Sequence, residues 1–123
     1  MSTLNVSNIT DGTTTVGTSY VVNGSAKAWV NFNGTGTVAI RDSLNVASIT
    51  DHGTGNHTKN FSSAFSAADY AVGAFTGGSA SSRDVVGDAT AFSASTCEIF
   101  VTNSAETVVD SEIVTTSTHG DLA

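Results

Sequence analysis

The chain has no proline, no glutamine, one cysteine, one tryptophan and only four basic residues among 123. Each shortage removes a class of protein. A lone Cys97 excludes an intrachain disulfide. It lies in the strand-like run Ser95 to Val101 and reads as a small, partly buried apolar residue. Lys27, Arg41, Lys59 and Arg83 are too few and too scattered to neutralise a phosphate backbone. With a net charge of −7, neither nucleic acid nor an anionic membrane surface is an expected partner; the acidity reads as solubility. No apolar run is long enough to span a bilayer. Met1 is followed by polar Ser-Thr-Leu-Asn rather than by a secretion signal, so the chain is expected to be made in a cytoplasm and to stay uncleaved. The sequons at Asn5, Asn8, Asn23, Asn33, Asn56 and Asn60 then read as a by-product of composition.

Helix formers are equally scarce: three Leu, three Glu and two Lys. What is abundant is Ser and Thr, together more than a quarter of the residues, with Val, Ile, Phe and Gly. Thr and Val suit a pleated, half-buried surface. Gly, Asn and Asp suit the turns between strands. The apolar fraction is 39%, so the core is expected to be thin. The fold expected is all-β, an antiparallel β-sandwich or jelly-roll-like domain over residues 26–123. A short N-terminal arm, residues 1–25, precedes it.

The best-defined element runs from Ala26 to Phe32. Ala26, Ala28, Val30 and Phe32 alternate with Lys27, Trp29 and Asn31, a period of two. Asn33-Gly34-Thr35-Gly36 follows as a turn, and Val38 to Arg41 returns as a hairpin partner. Further strands are read at Leu4 to Ile9, Tyr20 to Val22, Asn45 to Thr50 and His57 to Phe61. Others fall at Tyr70 to Phe75, Val85 to Phe92, Ile99 to Val101 and Val108 to Val114. Asp51 to Gly55 reads as a loop and Ser62 to Asp69 as a connection with one helical turn. Gly77 to Ser82 reads as a loop tip, and Thr115 to Ala123 as a frayed end. Strands this short, at this spacing, belong to sandwiches or barrels. Asn5 to Asp11 echoes Asn45 to Asp51, one copy too few for a repeat array.

No nucleophile elbow, phosphate loop or dinucleotide fingerprint occurs. Gly34-Thr-Gly36 and Gly53-Thr-Gly55 precede strand-like segments and read as hairpin turns. The carboxylates show no pairing by spacing, so no enzyme is expected. His52 and His57 flank a glycine turn with Asp51 adjacent. A metal site needs three or four rigid ligands, so these histidines read as turn residues; neither a metal nor a cofactor is expected. Trp29 packs in the core, or, because it interrupts the alternation, it stacks on a sugar or a neighbouring subunit.

The run Ala26-Lys-Ala-Trp-Val-Asn-Phe-Asn-Gly-Thr-Gly-Thr-Val-Ala-Ile-Arg41 resembles a motif of marine tailed-phage virion proteins. The resemblance continues through Asn45-Val46, Ser48-Ile49-Thr50-Asp51, Gly53-Thr54-Gly55-Asn56, Asn60-Phe61 and Ala68 to Val72. It covers about residues 1–75 and includes the opening Met1-Ser-Thr-Leu. It implies a trimeric, all-β, non-enzymatic surface module of the tail-fibre type, located in the virion. On that basis the chain is expected to be a short fibre, spike or receptor-binding component acting as a homotrimer. Its partners would be other virion proteins of the tail or capsid, and a host surface glycan or receptor. The short length equally fits a capsid-decorating cement protein. A stand-alone carbohydrate-binding module, stacking sugars on Trp29, Tyr20 or Tyr70, is the alternative from another class. The candidate surface and interface contacts are Trp29, His52, His57 and Arg83, with loops Asp51–His57 and Gly77–Arg83 as the variable face.

Overall fold

A computed structural model describes residues 1–78, 83–86 and 92–123, with the backbone alone described for 83–86. Two four-stranded antiparallel sheets form the body. The first has the order β4-β3-β10-β7, with β3 at Ala28–Asn33, β4 at Ala39–Leu44, β7 at Ala71–Gly77 and β10 at Ile113–His119. The second has the order β5-β6-β9-β8, with β5 at Val46–Gly53, β6 at Asn56–Phe61, β8 at Arg83–Val86 and β9 at Thr96–Asn103. The all-β sandwich expected from composition is therefore what forms.

Alternation decides which face of each strand turns inward. In β3, Ala28, Val30 and Phe32 are buried while Trp29 and Asn31 are not. In β9, Cys97, Ile99 and Val101 are buried, and Val46, Phe61 and Val114 join them from the other strands. An aromatic cluster closes one end of this core. Phe65 and Tyr70 meet Phe61 at ring separations of 4.7 and 5.5 Å, and Phe92 stacks on Tyr70 at 5.4 Å.

The chain crosses between sheets at Asn45, which has φ +54°, a left-handed value asparagine tolerates better than most residues. Its side chain fixes the corner: Oδ1 accepts from the Ser63 amide at 2.7 Å and Nδ2 donates to the Ser63 carbonyl at 3.0 Å.

Residues 1–25 stand apart from this packing. β1 (Asn8–Thr10) and β2 (Thr15–Gly17) make a hairpin, and α1 (Thr18–Gly24) follows. The Thr18 hydroxyl donates to the Val6 and Ser7 carbonyls, tying helix to hairpin. No residue of this arm is buried.

Several local expectations are corrected. Tyr20 to Val22 lies in α1 rather than a strand; a seven-residue element with no buried face leaves no periodicity to read. Thr115 to Ala123 is not a frayed end. Thr115 to His119 belongs to β10, which pairs with both β3 and β7, and Leu122 bridges to Phe65. The segment looked disposable because its inward residues, Thr116 and Thr118, are polar. Ser62 to Asp69 forms no helical turn. Of the loop read at Asp51 to Gly55, Asp51 to Gly53 belongs to β5, with a register shift between Asp51 and Gly53, while the turn expected at Gly53-Thr-Gly55 does join β5 to β6. The stretch 79–82 of the expected loop tip and the stretch 87–91 lie outside the described residues.

Candidate functional site

Three features stand out: a groove on the outer face of the first sheet, a polar seam inside the sandwich, and the exposed arm.

The groove follows from strand register. Gly73 of β7, Ser117 of β10, Trp29 of β3 and Leu44 of β4 share one row across the sheet. Phe75, Thr115, Asn31 and Asp42 share the neighbouring row. Trp29 and Phe75 therefore stand diagonally across a floor of small residues. Together with Gly73, Asn31, Thr115 and Ser117 they line an open groove of about 410 Å³, within the usual size of small-ligand sites. Phe75 is 77% exposed. Arg41 braces the rim, donating from Nη1 to Asn31 Oδ1 at 3.2 Å and from Nη2 to the Glu112 carbonyl at 2.6 Å. Of the two readings of Trp29, the outer face holds: its side chain points away from Phe32, and it is only partly buried.

The seam lies between the sheets. Strand β6 turns His57, Lys59 and Phe61 inward, and β10 turns Val114, Thr116 and Thr118 inward to meet them. Lys59 is 0% exposed. Its Nζ donates to Thr118 Oγ1 at 2.7 Å and to Thr116 Oγ1 at 3.0 Å, and lies 5.2 Å from the Phe61 ring centroid. Burial pushes its pKa down to about 8, against a weaker opposing pull from Cys97, its cross-strand neighbour. Burial pushes the Cys97 thiol up, despite Lys59. A thiol so placed is a poor nucleophile. The Tyr70 hydroxyl donates to the Thr96 and Ser93 carbonyls at 2.7 and 3.1 Å, and burial raises its pKa as well. Lysine, thiol and phenol thus form a group sealed from substrate. Burial disfavours the charged form of each, and the hydrogen-bond partners of the lysine and the phenol are hydroxyls and carbonyls.

His57 lies further along the same face. It is fully buried, and neither ring nitrogen has a hydrogen-bond partner. The Phe32 ring meets it edge-on at 5.2 Å. Gly34 packs so close that a Cβ there would stand 3.2 Å from His57 Cε1. Desolvation lowers the His57 pKa, opposed by the negative charges of Asp51 and Asp110 and reinforced by His52. His57 as a surface contact is therefore corrected: parity with Phe61 turns it inward. His52 stays outside, its Nε2 hydrogen-bonded to Thr58 Oγ1 at 2.9 Å. Among the described residues, no group of three or more His, Cys, Asp or Glu could hold a metal.

Of the other proposed stacking residues, Tyr70 is buried and Tyr20 is exposed on α1. The Arg83 side chain lies outside the described residues. Phe75 is the residue the sequence reading missed. Its position opposite Thr115 depends on pairing across 40 residues, which no local pattern reveals.

The arm leaves Leu4, Val6, Ile9, Val21 and Val22 exposed around a shallow groove of about 420 Å³. Among the described residues, no helix is long and apolar enough to cross a membrane. No family model, curated protein or solved structure matches the chain.

Proposed function

We propose that the chain is a structural component of a tailed-phage virion, a short fibre, spike or receptor-binding part that works as a homotrimer. The observation that carries this reading is the N-terminal arm. A two-stranded hairpin is marginal alone in water, and so is a seven-residue helix. Here both occur together, with Leu4, Val6, Ile9 and Val22 facing solvent and no residue buried. Contiguous apolar surface of this kind marks a contact site. Packing against the arms of neighbouring copies buries these side chains, and the sandwiches then project outward. The resemblance of about residues 1–75 to phage virion modules supplies the setting. The sealed interior supports a role in contact and display rather than turnover.

Native mass of the full chain tests the reading. The expected species has three times the 12.4 kDa of one chain. Ile9→Asp and Val22→Asp put charges on exposed arm positions, so they are expected to release monomers with intact sandwiches. A wild-type monomer at all concentrations refutes the trimer. Co-purification with assembled particles tests the virion assignment. Attachment to tail structures supports the fibre or spike, and attachment to the capsid shell makes the chain a decoration protein instead.

A further inference from the structure

We propose that the groove between Trp29 and Phe75 binds a neutral pyranose glycan. The inference rests on the display role above and names the ligand displayed to.

The walls and the floor of the groove ask for different things from a ligand. Both Trp29 and Phe75 lie on the outer side of the sheet, Phe75 exposed and Trp29 partly exposed. An aromatic face carries negative quadrupolar charge and attracts weakly positive C–H groups, which a pyranose presents on the flat side of its ring. The floor is Ser117 and Thr115 with Gly73 beside them, and Asn31 stands at the edge. Hydroxyls and amides both donate and accept, which suits a ligand whose own groups are hydroxyls. The two demands, an apolar face and a hydroxylated edge, belong together in a sugar ring.

Charge narrows the class. The chain carries −7 overall, yet none of the residues lining this groove is charged. Arg41 at the rim is engaged by Asn31 and by the Glu112 carbonyl. An acidic polysaccharide would meet an unfavourable field, with no charged side chain lining the groove among the described residues to answer it. A neutral glycan meets no such field.

Gly73 is what makes the groove. Any side chain at this outward position would fill the floor between the rings. A Cβ there would lie 3.5 Å from Ser117 Oγ, an ordinary contact. Valine at 73 therefore blocks the groove without disturbing the strand, since β-branched residues suit strands.

Trp29 is the sole tryptophan, so its fluorescence reports directly on the site. The full chain is titrated with neutral gluco-, galacto-, manno- and N-acetylhexosamine oligosaccharides, with polygalacturonate as the acidic control. The expected result is a saturable change in Trp29 emission, and protection from acrylamide quenching, with one or more neutral sugars. Gly73→Val and Phe75→Ala are expected to weaken binding roughly tenfold or more, the factor that corresponds to about 1.4 kcal/mol. Both variants should keep the wild-type circular dichroism spectrum and native mass. The proposal is overturned if no neutral sugar perturbs Trp29, or if polygalacturonate binds as well. It is equally overturned if binding survives both substitutions, or if Phe75→Ala changes the native mass, which would mean that a second copy covers the groove. A trimer that binds no sugar defeats this inference and leaves the structural reading standing; a sugar-binding monomer does the reverse.

Discussion

Removing Lys59 from the sandwich should change how stability depends on pH in the alkaline range, and the size follows from its surroundings. Its ordinary pKa of 10.5 falls to about 8 because the ammonium is stripped of water and offered hydroxyls instead of a carboxylate. At about 1.4 kcal/mol per tenfold, that fall amounts to about 3 kcal/mol favouring the neutral amine in the folded state. Below about pH 8 the amine is charged in both states, and the folded chain carries the whole cost. Between there and 10.5 the unfolded chain holds a proton that the folded chain has released, so stability rises with pH. Lys59→Met, similar in length and uncharged, removes this dependence. The measurement is urea denaturation of wild type and variant from about pH 7 to about pH 10.5, read as the difference in unfolding free energy. That difference is expected to climb in favour of wild type by about 3 kcal/mol across the range. Taking the difference matters because Cys97 and Tyr70, whose pKa values are raised, lose stability as the pH rises through their unfolded values. Both proteins should carry Cys97→Ala, so that the thiol coupled to Lys59 is absent. A flat difference refutes the reasoning; Lys59 would then be reaching water.

Three further outcomes are expected. His57, buried with a lowered pKa, stays neutral in the folded chain while the unfolded chain takes up a proton. Stability is therefore full above pH 6.5 and declines below it, and His57→Leu should flatten this acid limb in urea midpoints at about pH 7 and about pH 5. Gly55 has φ +65°, and a Cβ would stand 2.7 Å from the Val101 carbonyl oxygen and from the Val109 amide. Gly55→Ala should cost at least about 2 kcal/mol, whereas Gly36→Ala, with φ +61° and open space around it, should cost about 1 kcal/mol by thermal melts. Tyr70→Phe removes the hydroxyl that donates to the Ser93 and Thr96 carbonyls, of which Thr96 keeps the Ser93 amide, and should cost about 1 kcal/mol in the same melts.

The sandwich was legible where apolar residues alternate. Ala28, Val30 and Phe32 point inward as their spacing requires, and the interruption at Trp29 marks an outward aromatic. The polar seam was harder. His57, Thr58, Lys59 and Asn60 are polar on both faces, so the pattern does not choose a side. Phe61 does choose: once it points inward, parity carries Lys59 and His57 with it. That signal was present in the sequence and outweighed by the usual exposure of lysine. β10 hid for the same reason, because Thr116 and Thr118 face inward without looking like core. The groove depended on more than parity. Gly73, Ser117 and Trp29 share a row only through long-range pairing, with β10 seated between β3 and β7, an order no local rule supplies.

The seam and the arm have a common consequence. A sandwich this small has few inward positions, and here Lys59, His57, Thr116 and Thr118 occupy four of them. Each hydroxyl or amine buried there forgoes the stabilisation an apolar side chain would bring. Meanwhile apolar residues sit outside, on an arm that buries none of them. Moved inward, Leu4, Val6, Ile9 and Val22 would strengthen a solitary domain. Left outside, they can stabilise only by meeting other copies or another protein, and that gain grows with concentration. On the proposed reading, the distribution of hydrophobic side chains shifts stability from the single chain to the assembly. Such a division suits a part that is synthesised alone and becomes rigid only in place.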